Sequence, residues 1–335
     1  MSSKIFIAGI TGFLGSRTAK ILHAHGYEVY GMVRSGSQTD HVQKYIRETL
    51  TADLLIQEDL SRIKQFLLKH EIFQLIFAVG SVNYHHDYET ARKHNVQTAL
   101  NFMQLAEELH TQRKLHKIVG VGSVAARGFM LSKPAPAQYL TESVSHFQPT
   151  RSIYCDIKYE IQQLMTVYCQ RSLLPLVMVE PGSLVGPPTG RATSTNVGLV
   201  EKILKGFPVL AGGVSYASVE RVAEGVMLAL EKGRIGETYI LGGENLTMTA
   251  FAKLIRQLQH ERVSPDKHSL PVLTIPRVAA LILGKLKLVI NPQQAVMGSA
   301  FHFVNDTKAR QELGYHHDHE DLIQALQEML AVDGP

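Results

Sequence analysis

KIFIAGITGFLGSRTAKIL, residues 4–22, sets an apolar run against three glycines spaced three apart, Gly9, Gly12 and Gly15. Lys4 to Ala8 reads as a short buried strand, apolar and β-branched up to the first glycine. From Phe13 onward, Phe13, Leu14, Ala19, Ile21 and Leu22 fall near helical spacing. A strand, a bare turn and a helix start form a phosphate-binding arrangement, in which backbone N–H groups point at a pyrophosphate and side chains would block its approach. The turn residues Gly9, Thr11, Gly12, Phe13, Leu14 and Gly15 are the candidates for that contact. Glycine triplets also occur in ordinary turns, so the rest of the chain has to decide.

The 335 residues suffice for one large domain or two smaller ones sharing a core. An apolar fraction of 45% and a charged fraction of 19% describe a globular protein. The net charge of +4 is small and no lysine/arginine block occurs, which argues against nucleic-acid binding. Cys155 and Cys169 are the only cysteines, so no disulfide framework is implied and a reducing, cytoplasmic location is expected. The N-terminal stretch is broken by glycines and does not read as a signal peptide. IPRVAALILGKLKLVI, residues 275–290, is the most apolar late segment, but Arg277, Lys285 and Lys287 make it too charged to span a bilayer. It reads as a buried or surface helix, with membrane contact the lesser alternative, and no stable membrane insertion is expected.

Strand-like runs recur at 4–8, 27–33, 74–79, 117–122, 175–180 and 237–241, separated by helix-patterned stretches. That alternation predicts an α/β protein with a Rossmann-type, doubly wound parallel sheet. After Pro181 the regularity breaks: PGSLVGPPTGRATST reads as loop, and residues from about 244 onward read as helices and loops with several prolines. The expected division is a dinucleotide-binding domain over 1–182, with 219–243 returning to its sheet. A smaller, mostly helical substrate-binding region would comprise 183–218 and 244–335.

The second strand ends at Arg34, about twenty residues past the glycine turn, where an NAD-selecting domain places a carboxylate for the ribose 2′-hydroxyl. Here the sequence is VRSGS, with no carboxylate. A guanidinium beside Ser35 suits a 2′-phosphate, so NADP(H) is the expected cofactor and NAD(H) the alternative. Arg34 could also be a solvated side chain or stack on adenine.

Tyr154 and Lys158, in YCDIK, lie one helical turn apart on one face. They begin the helix that follows the strand carrying Ser123. A free tyrosine ionises near pH ~10, and a neighbouring ammonium together with the positive nicotinamide ring would be expected to lower that value. Tyr154 could then exchange a proton with a carbonyl or hydroxyl whose oxygen Ser123 also binds.

With these motifs in place, nearly the whole chain resembles the extended short-chain dehydrogenase/reductases, nearest the dihydroflavonol-reductase-like branch that also holds hopanoid-associated sugar epimerases. The resemblance rests on GITGFLG, on ADL with Asp53, on NVQTALN with Asn95 and on VGSVAARG with Ser123. YCDIK, PGSLVGP and the later blocks VERVAEGVMLALEKGRIGETYILGGENLT and FVNDTKARQELGY complete it. It implies Ser123, Tyr154, Lys158 and Asn95 as catalytic residues, the last supporting a water that links Lys158 to solvent. It also implies cofactor contacts at Asp53 and Leu54 near the adenine, at Val79 and Gly80, at Lys158 on the nicotinamide ribose, and at Pro181 and Ser183 along the nicotinamide. His85, Val124 and Arg191 are candidates for the substrate.

The chain departs from the family pattern in places. Glu180 stands where many members have Arg or Asn, Ile157 where Ser or Ala is usual, and Arg221 at a frequent Asp position. Ser123 is followed by Val124 and Ala125 and not by the Asp-Glu pair of sugar 4,6-dehydratases, which argues against that dehydration. The clusters NYHHDY (83–88) and YHHDHE (315–320) lack a clean metal-ligand spacing, so no metal is expected. Three functions remain: a carbonyl reductase, a nucleotide-sugar epimerase using the same residues, and a dinucleotide sensor without turnover. The expected partner is a small-molecule substrate. A homodimer is also expected, because Phe102, Met103, Leu105 and Ala106 on one helix and Ile161, Leu164, Met165, Val167 and Tyr168 on another exceed one apolar stripe.

Overall fold

The structure is a computed structural model and describes residues 3–80, 87–112, 114–144, 152–263, 271–287 and 290–332. The first half of the chain alternates strand and helix. Its elements are β1 (Lys4–Ala8), α1 (Phe13–Ala24), β2 (Glu28–Val33), α2 (Asp40–Gln43), β3 (Glu48–Thr51), α3 (Gln57–Lys69), β4 (Gln74–Phe77), α4 (Tyr88–Arg92), α5 (Thr98–Thr111), β5 (Lys117–Val121), α6 (Ile153–Ser172) and β6 (Leu176–Pro181). The second half is less regular. It runs β7 (Ser183–Val185), α7 (Thr195–Leu204), β8 (Val209–Leu210), β9 (Gly213–Ser218), α8 (Val219–Lys232), β10 (Thr238–Leu241), β11 (Glu244–Thr247), α9 (Met248–Val263), β12 (Thr274–Ile275), α10 (Arg277–Lys285), α11 (Pro292–Gly298), β13 (Phe301–His302), α12 (Thr307–Leu313) and α13 (His319–Val332).

Seven strands form one sheet in the order β10-β6-β5-β4-β1-β2-β3, and every pair in it is parallel. The chain winds outward from β1 to β3, then returns to β4 and winds the other way. The change of direction between β1 and β4 opens a crevice at the carboxyl ends of the strands, the place where such sheets bind ligands. One face of the sheet packs against α3, α5 and α6 through Phe6, Phe77, Phe102, Ile161 and Met165. The other packs against α1 and α8 through Ile5, Ile7, Leu22, Val222 and Val226. Both faces are covered, which is why the strands read as continuous apolar runs.

Two features differ from the sequence expectation. Glu48–Thr51 pairs with β2 as the outer strand β3, although ETLT has no apolar alternation. An edge strand with one paired side and mostly exposed side chains carries no such pattern. In the second half, β11, β9 and β13 form a smaller sheet, with β7 paired to β9. Residues 183–185, read from the sequence as loop, and residues 244–247 and 301–302, read as helices and loops, are therefore strands. Their runs are too short to show a period of two.

The apolar residues on α5 that suggested a dimer are spent inside the chain: Phe102, Met103, Leu105 and Ala106 are all buried. On α6, Ile161 and Met165 are buried too, and Leu164 and Tyr168 pack partly against the same core. Val167 alone of the nine is largely exposed.

Candidate active site

The glycine turn joins β1 to α1 at the crevice. Gly9 has φ +93°, and a Cβ there would lie 2.6 Å from the Ala78 carbonyl oxygen at the end of β4. A side chain at Gly15 would collide with the Gly9 carbonyl oxygen, so α1 can sit this close to the turn only with glycine at that position. The Gly12 N–H donates to Gly9 O at 2.9 Å and Gly12 caps α1 with no side-chain hydrogen bond. The helix thus presents uncapped N–H groups and no acidic side chain in its first turn, the arrangement an anionic pyrophosphate requires. Phe13 and Leu14 are buried beneath it. Arg17, one turn further on, ion-pairs with Glu220 of α8 at 2.8 Å and donates to Pro187 O at 2.9 Å and to Thr189 Oγ1. This strut, missed in the sequence, holds the 187–189 loop against the turn.

Ser123 follows β5 and caps a 3-10 turn (Val124–Arg127), accepting from the Ala125 N–H at 3.2 Å. Ser152 caps α6 by accepting from the Cys155 N–H, which places Tyr154 in the first turn facing Ser123. The Tyr154 hydroxyl donates to Ser123 Oγ at 3.3 Å. Lys158 Nζ lies 5.9 Å from the centre of the Tyr154 ring and directly below Gly80. It has no hydrogen-bond or ion-pair partner among the described residues. Asn95 sits in a π-helical turn (Lys93–Gln97) between α4 and α5, its amide donating to Ala91 O at 2.9 Å. Irregular helical turns of this kind concentrate at functional sites. A side chain at Gly80 would reach both Lys158 Nζ and Asn95 Oδ1, so these two polar ends converge beneath one exposed backbone position.

Burial controls the titration of the pair. It pushes Tyr154 up to about 12, opposed by the Ser123 hydrogen bond, and pushes Lys158 down to about 8. In the chain alone desolvation dominates and raises the tyrosine, the opposite direction from the one expected of a neighbouring ammonium and a bound nicotinamide. For Lys158 the sign of the linkage follows directly. Its folded value lies below the ordinary 10.5, so the cost of the buried ammonium is present below pH 8 and disappears as pH rises through 10.5. Lys158→Met is expected to stabilise the cofactor-free protein by on the order of 3 kcal/mol at pH 7. That advantage should shrink steadily between pH 8 and 10.5. Urea denaturation across that range measures it, and a variant less stable than wild type at pH 7 would count against an uncompensated ammonium.

The other sequence candidates fall around this centre. Arg34 is exposed at the end of β2, where Arg34–Ser37 makes a turn with Gly36 at φ +76°. Asp53 follows β3, and its carboxylate accepts from the Leu55 N–H while its own N–H donates to Asp59. The Leu54 side chain is wholly buried in the core, and its carbonyl accepts from Asn101. Val79 and exposed Gly80 follow β4, Pro181 ends β6, and Ser183 Oγ accepts from Asn196 at 2.9 Å. Val124 packs with Leu140, Ile240 and Val304, so its side chain belongs to a small apolar cluster. Arg191 is exposed between the bridged Thr189 and Ala192. His85 lies outside the described residues. Of the second histidine cluster, His316, Asp318 and Asp321 come within 4.8 Å of one another. Asp321 is engaged by Arg221 at 2.7 Å and by the Asp318 N–H. Arg221 thus ties α8 to α13, which accounts for the arginine in a frequent aspartate position.

Glu180 also acquires a partner. Its carboxylate receives both ends of the Arg127 guanidinium at 2.7 Å, and both side chains are buried. Arg127 further donates to the Glu142 and Val144 carbonyls, and Glu142 accepts from the Ile240 N–H of β10. One arginine therefore joins the Ser123 turn, β6 and the 142–144 segment.

Together, a doubly wound sheet, a bare glycine turn at its switch point and a Ser/Tyr/Lys cluster beside it define a dinucleotide-binding α/β protein of the oxidoreductase and epimerase class. Residues 5–242 match the NAD dependent epimerase/dehydratase family, and the chain belongs to that family. It is 26% identical over 325 residues to a putative dihydroflavonol 4-reductase of Synechocystis sp., covering 94% of this chain and 90% of that one. It is 27% identical over 327 residues to a 4-hydroxy-2-methyl-3-oxo-4-farnesyl-3,4-dihydroquinoline-1-oxide ketoreductase of Stigmatella aurantiaca, covering 93% and 91%. A solved nucleoside-diphosphate-sugar epimerase from Pseudomonas aeruginosa superposes with a TM-score of 0.76 at 22% identity, over 100% of this chain and 99% of that one. Among the described residues no helix is long and apolar enough to cross a membrane.

Proposed function

We propose that this chain reduces the carbonyl of a small ketone or aldehyde with NADP(H). The observation that carries the reading is Tyr154, held protonated well beyond neutrality and hydrogen-bonded to Ser123. A tyrosine kept neutral by burial is prepared to give a proton to an oxygen that gains negative charge. When bound, the nicotinamide supplies the hydride. Ser123 orients the carbonyl oxygen with its own hydroxyl, and Tyr154 delivers the proton to that oxygen. Lys158, without a protein acceptor among the described residues, is free to bind the ribose hydroxyls and to return a proton to Tyr154. Asn95 is assigned the water that connects Lys158 to solvent. The glycine turn holds the pyrophosphate, Asp53 and Leu54 flank the adenine, Pro181 and Ser183 line the nicotinamide, and residues 183–218 and 244–332 form the substrate-binding region. The two relatives are named as a reductase and a ketoreductase, which supports this reading over the epimerase.

The test is NADPH consumption by the full chain against a panel of ring ketones and aldehydes. Turnover that needs Tyr154 supports reduction. Tightly retained NAD together with interconversion of nucleotide sugars, and no carbonyl reduction, would replace it with the epimerase. For the homodimer expected through α5 and α6, Val167 on α6 and Leu173 at its end are the exposed apolar residues among the described ones of that face.

The NADP(H) preference rests on Arg34, whose exposed guanidinium has no ion pair among the described residues. Arg34→Ala is expected to weaken NADPH by about 10- to 150-fold, the worth of one charge-assisted contact, and to leave NADH nearly unchanged. Titration of both dinucleotides against the variant measures this. Equal losses would make Arg34 a stacking residue.

A further inference from the structure

The helix α10 is amphipathic in an inverted sense. Its buried positions are the small residues Ala280 and Gly284, and a Cβ at Gly284 would lie 2.5 Å from Ala295 of α11. Leu281 and Leu283 are half-buried, and three large residues face outward: Val278 is 72% exposed, Ile282 55%, and Leu286, one position past the helix end, 60%. These three recur every four residues and form one continuous ridge. Leu273, 62% exposed, precedes β12, and Phe207, 50% exposed, precedes β8; the Val209 N–H donates to Leu273 O where these strands pair, which brings the two together on the stretch of chain leading into α10. A cluster of exposed large apolar side chains on a globular protein points to an interaction site.

The charges around it have one dominant sign. Lys285 and Lys287 are exposed at one end, and Lys202 and Lys205 beside Phe207 at the other, with Glu201 the adjacent acid. Positions 267–305 contain no aspartate or glutamate. A second copy of the chain seated on this ridge would bring lysines against lysines with no acid in that span to neutralise them. A surface of anionic lipid headgroups over hydrocarbon satisfies both the ridge and its lysines.

We propose that α10 and the adjoining Leu273 and Phe207 dock this protein on anionic membrane surfaces, lying in the interface without crossing it. The docked face is coupled to the reaction site. The ridge helix packs on α11, and Met297 Sδ of α11 lies 3.2 Å from Cys155 Sγ, next to Tyr154. Docking therefore turns the substrate-binding region toward the bilayer, where an amphiphilic carbonyl compound would be found.

Co-sedimentation of the full chain with phosphatidylcholine vesicles, with and without phosphatidylglycerol, tests the proposal. Binding is expected only with the anionic lipid, and salt near 1 M should abolish it by shortening the Debye length to about 3 Å. The double variant Lys285→Ala, Lys287→Ala should bind about thirtyfold more weakly. Ile282→Glu should abolish binding, whereas Ile235→Glu, at an exposed isoleucine outside the ridge, should not change it. Ile282 is exposed, so the fold survives its substitution. Absence of binding to either vesicle, equal binding to both, or a vesicle-independent dimer in sedimentation velocity that Ile282→Glu dissociates would each overturn it.

Discussion

Tyr154→Phe is expected to lower turnover by about 10²- to 10⁴-fold while leaving dinucleotide affinity nearly intact. The substitution removes one hydroxyl and keeps the ring, so the apolar contacts that hold the start of α6 survive. The hydroxyl gives a 3.3 Å hydrogen bond to Ser123 Oγ, which is a minor contribution to stability. What disappears is the proton, carried by a group that burial holds protonated to about 12. Ser123 and Lys158 remain, but the hydroxyl assigned the proton transfer is gone. Steady-state kinetics and dinucleotide titration on the same preparation separate the two quantities. A variant with wild-type turnover would remove Tyr154 from the mechanism, and a parallel loss of cofactor affinity would recast it as a binding residue.

The second large effect falls on stability. Arg127→Ala or Glu180→Ala is expected to cost on the order of 3–5 kcal/mol, because each leaves the partner's charge buried and unpaired. The bidentate geometry raises the stakes, since both carboxylate oxygens of Glu180 receive a guanidinium N–H at 2.7 Å. Removing the arginine also strands the Glu142 and Val144 carbonyls it binds. The paired substitution Arg127→Met, Glu180→Leu removes both charges and should recover much of the loss. Urea midpoints of the two single variants and the double variant form the cycle. Single variants within about 1 kcal/mol of wild type would mean that water reaches the pair and screens it.

Much of this architecture was legible in the chain itself. The buried strands of a parallel sheet must be apolar on both faces, so β1, β2, β4, β5, β6 and β10 announce themselves as apolar runs between helical stretches. The glycines announce themselves because the turn tolerates no Cβ at Gly9 or Gly15. Tyr154 and Lys158 are one helical turn apart, and local spacing alone puts them on one face.

Tertiary structure decided everything that depends on distant residues meeting. Strand β3 carries no pattern, because an edge strand is stabilised by its one neighbour and not by burial of its side chains. Glu180 stood out as a departure, but its partner lies 53 residues earlier and only the fold brings Arg127 to it. The direction of the Tyr154 shift likewise could not be read from its neighbours in sequence. Proximity to a lysine predicts a lower value, whereas packing of the surrounding elements removes water from both groups and raises the tyrosine. The apolar segment at 275–290 is ambiguous between core and surface as a string of letters. Its small residues Ala280 and Gly284 turn inward, Gly284 close against Ala295 of α11, while Val278, Ile282 and Leu286 face outward.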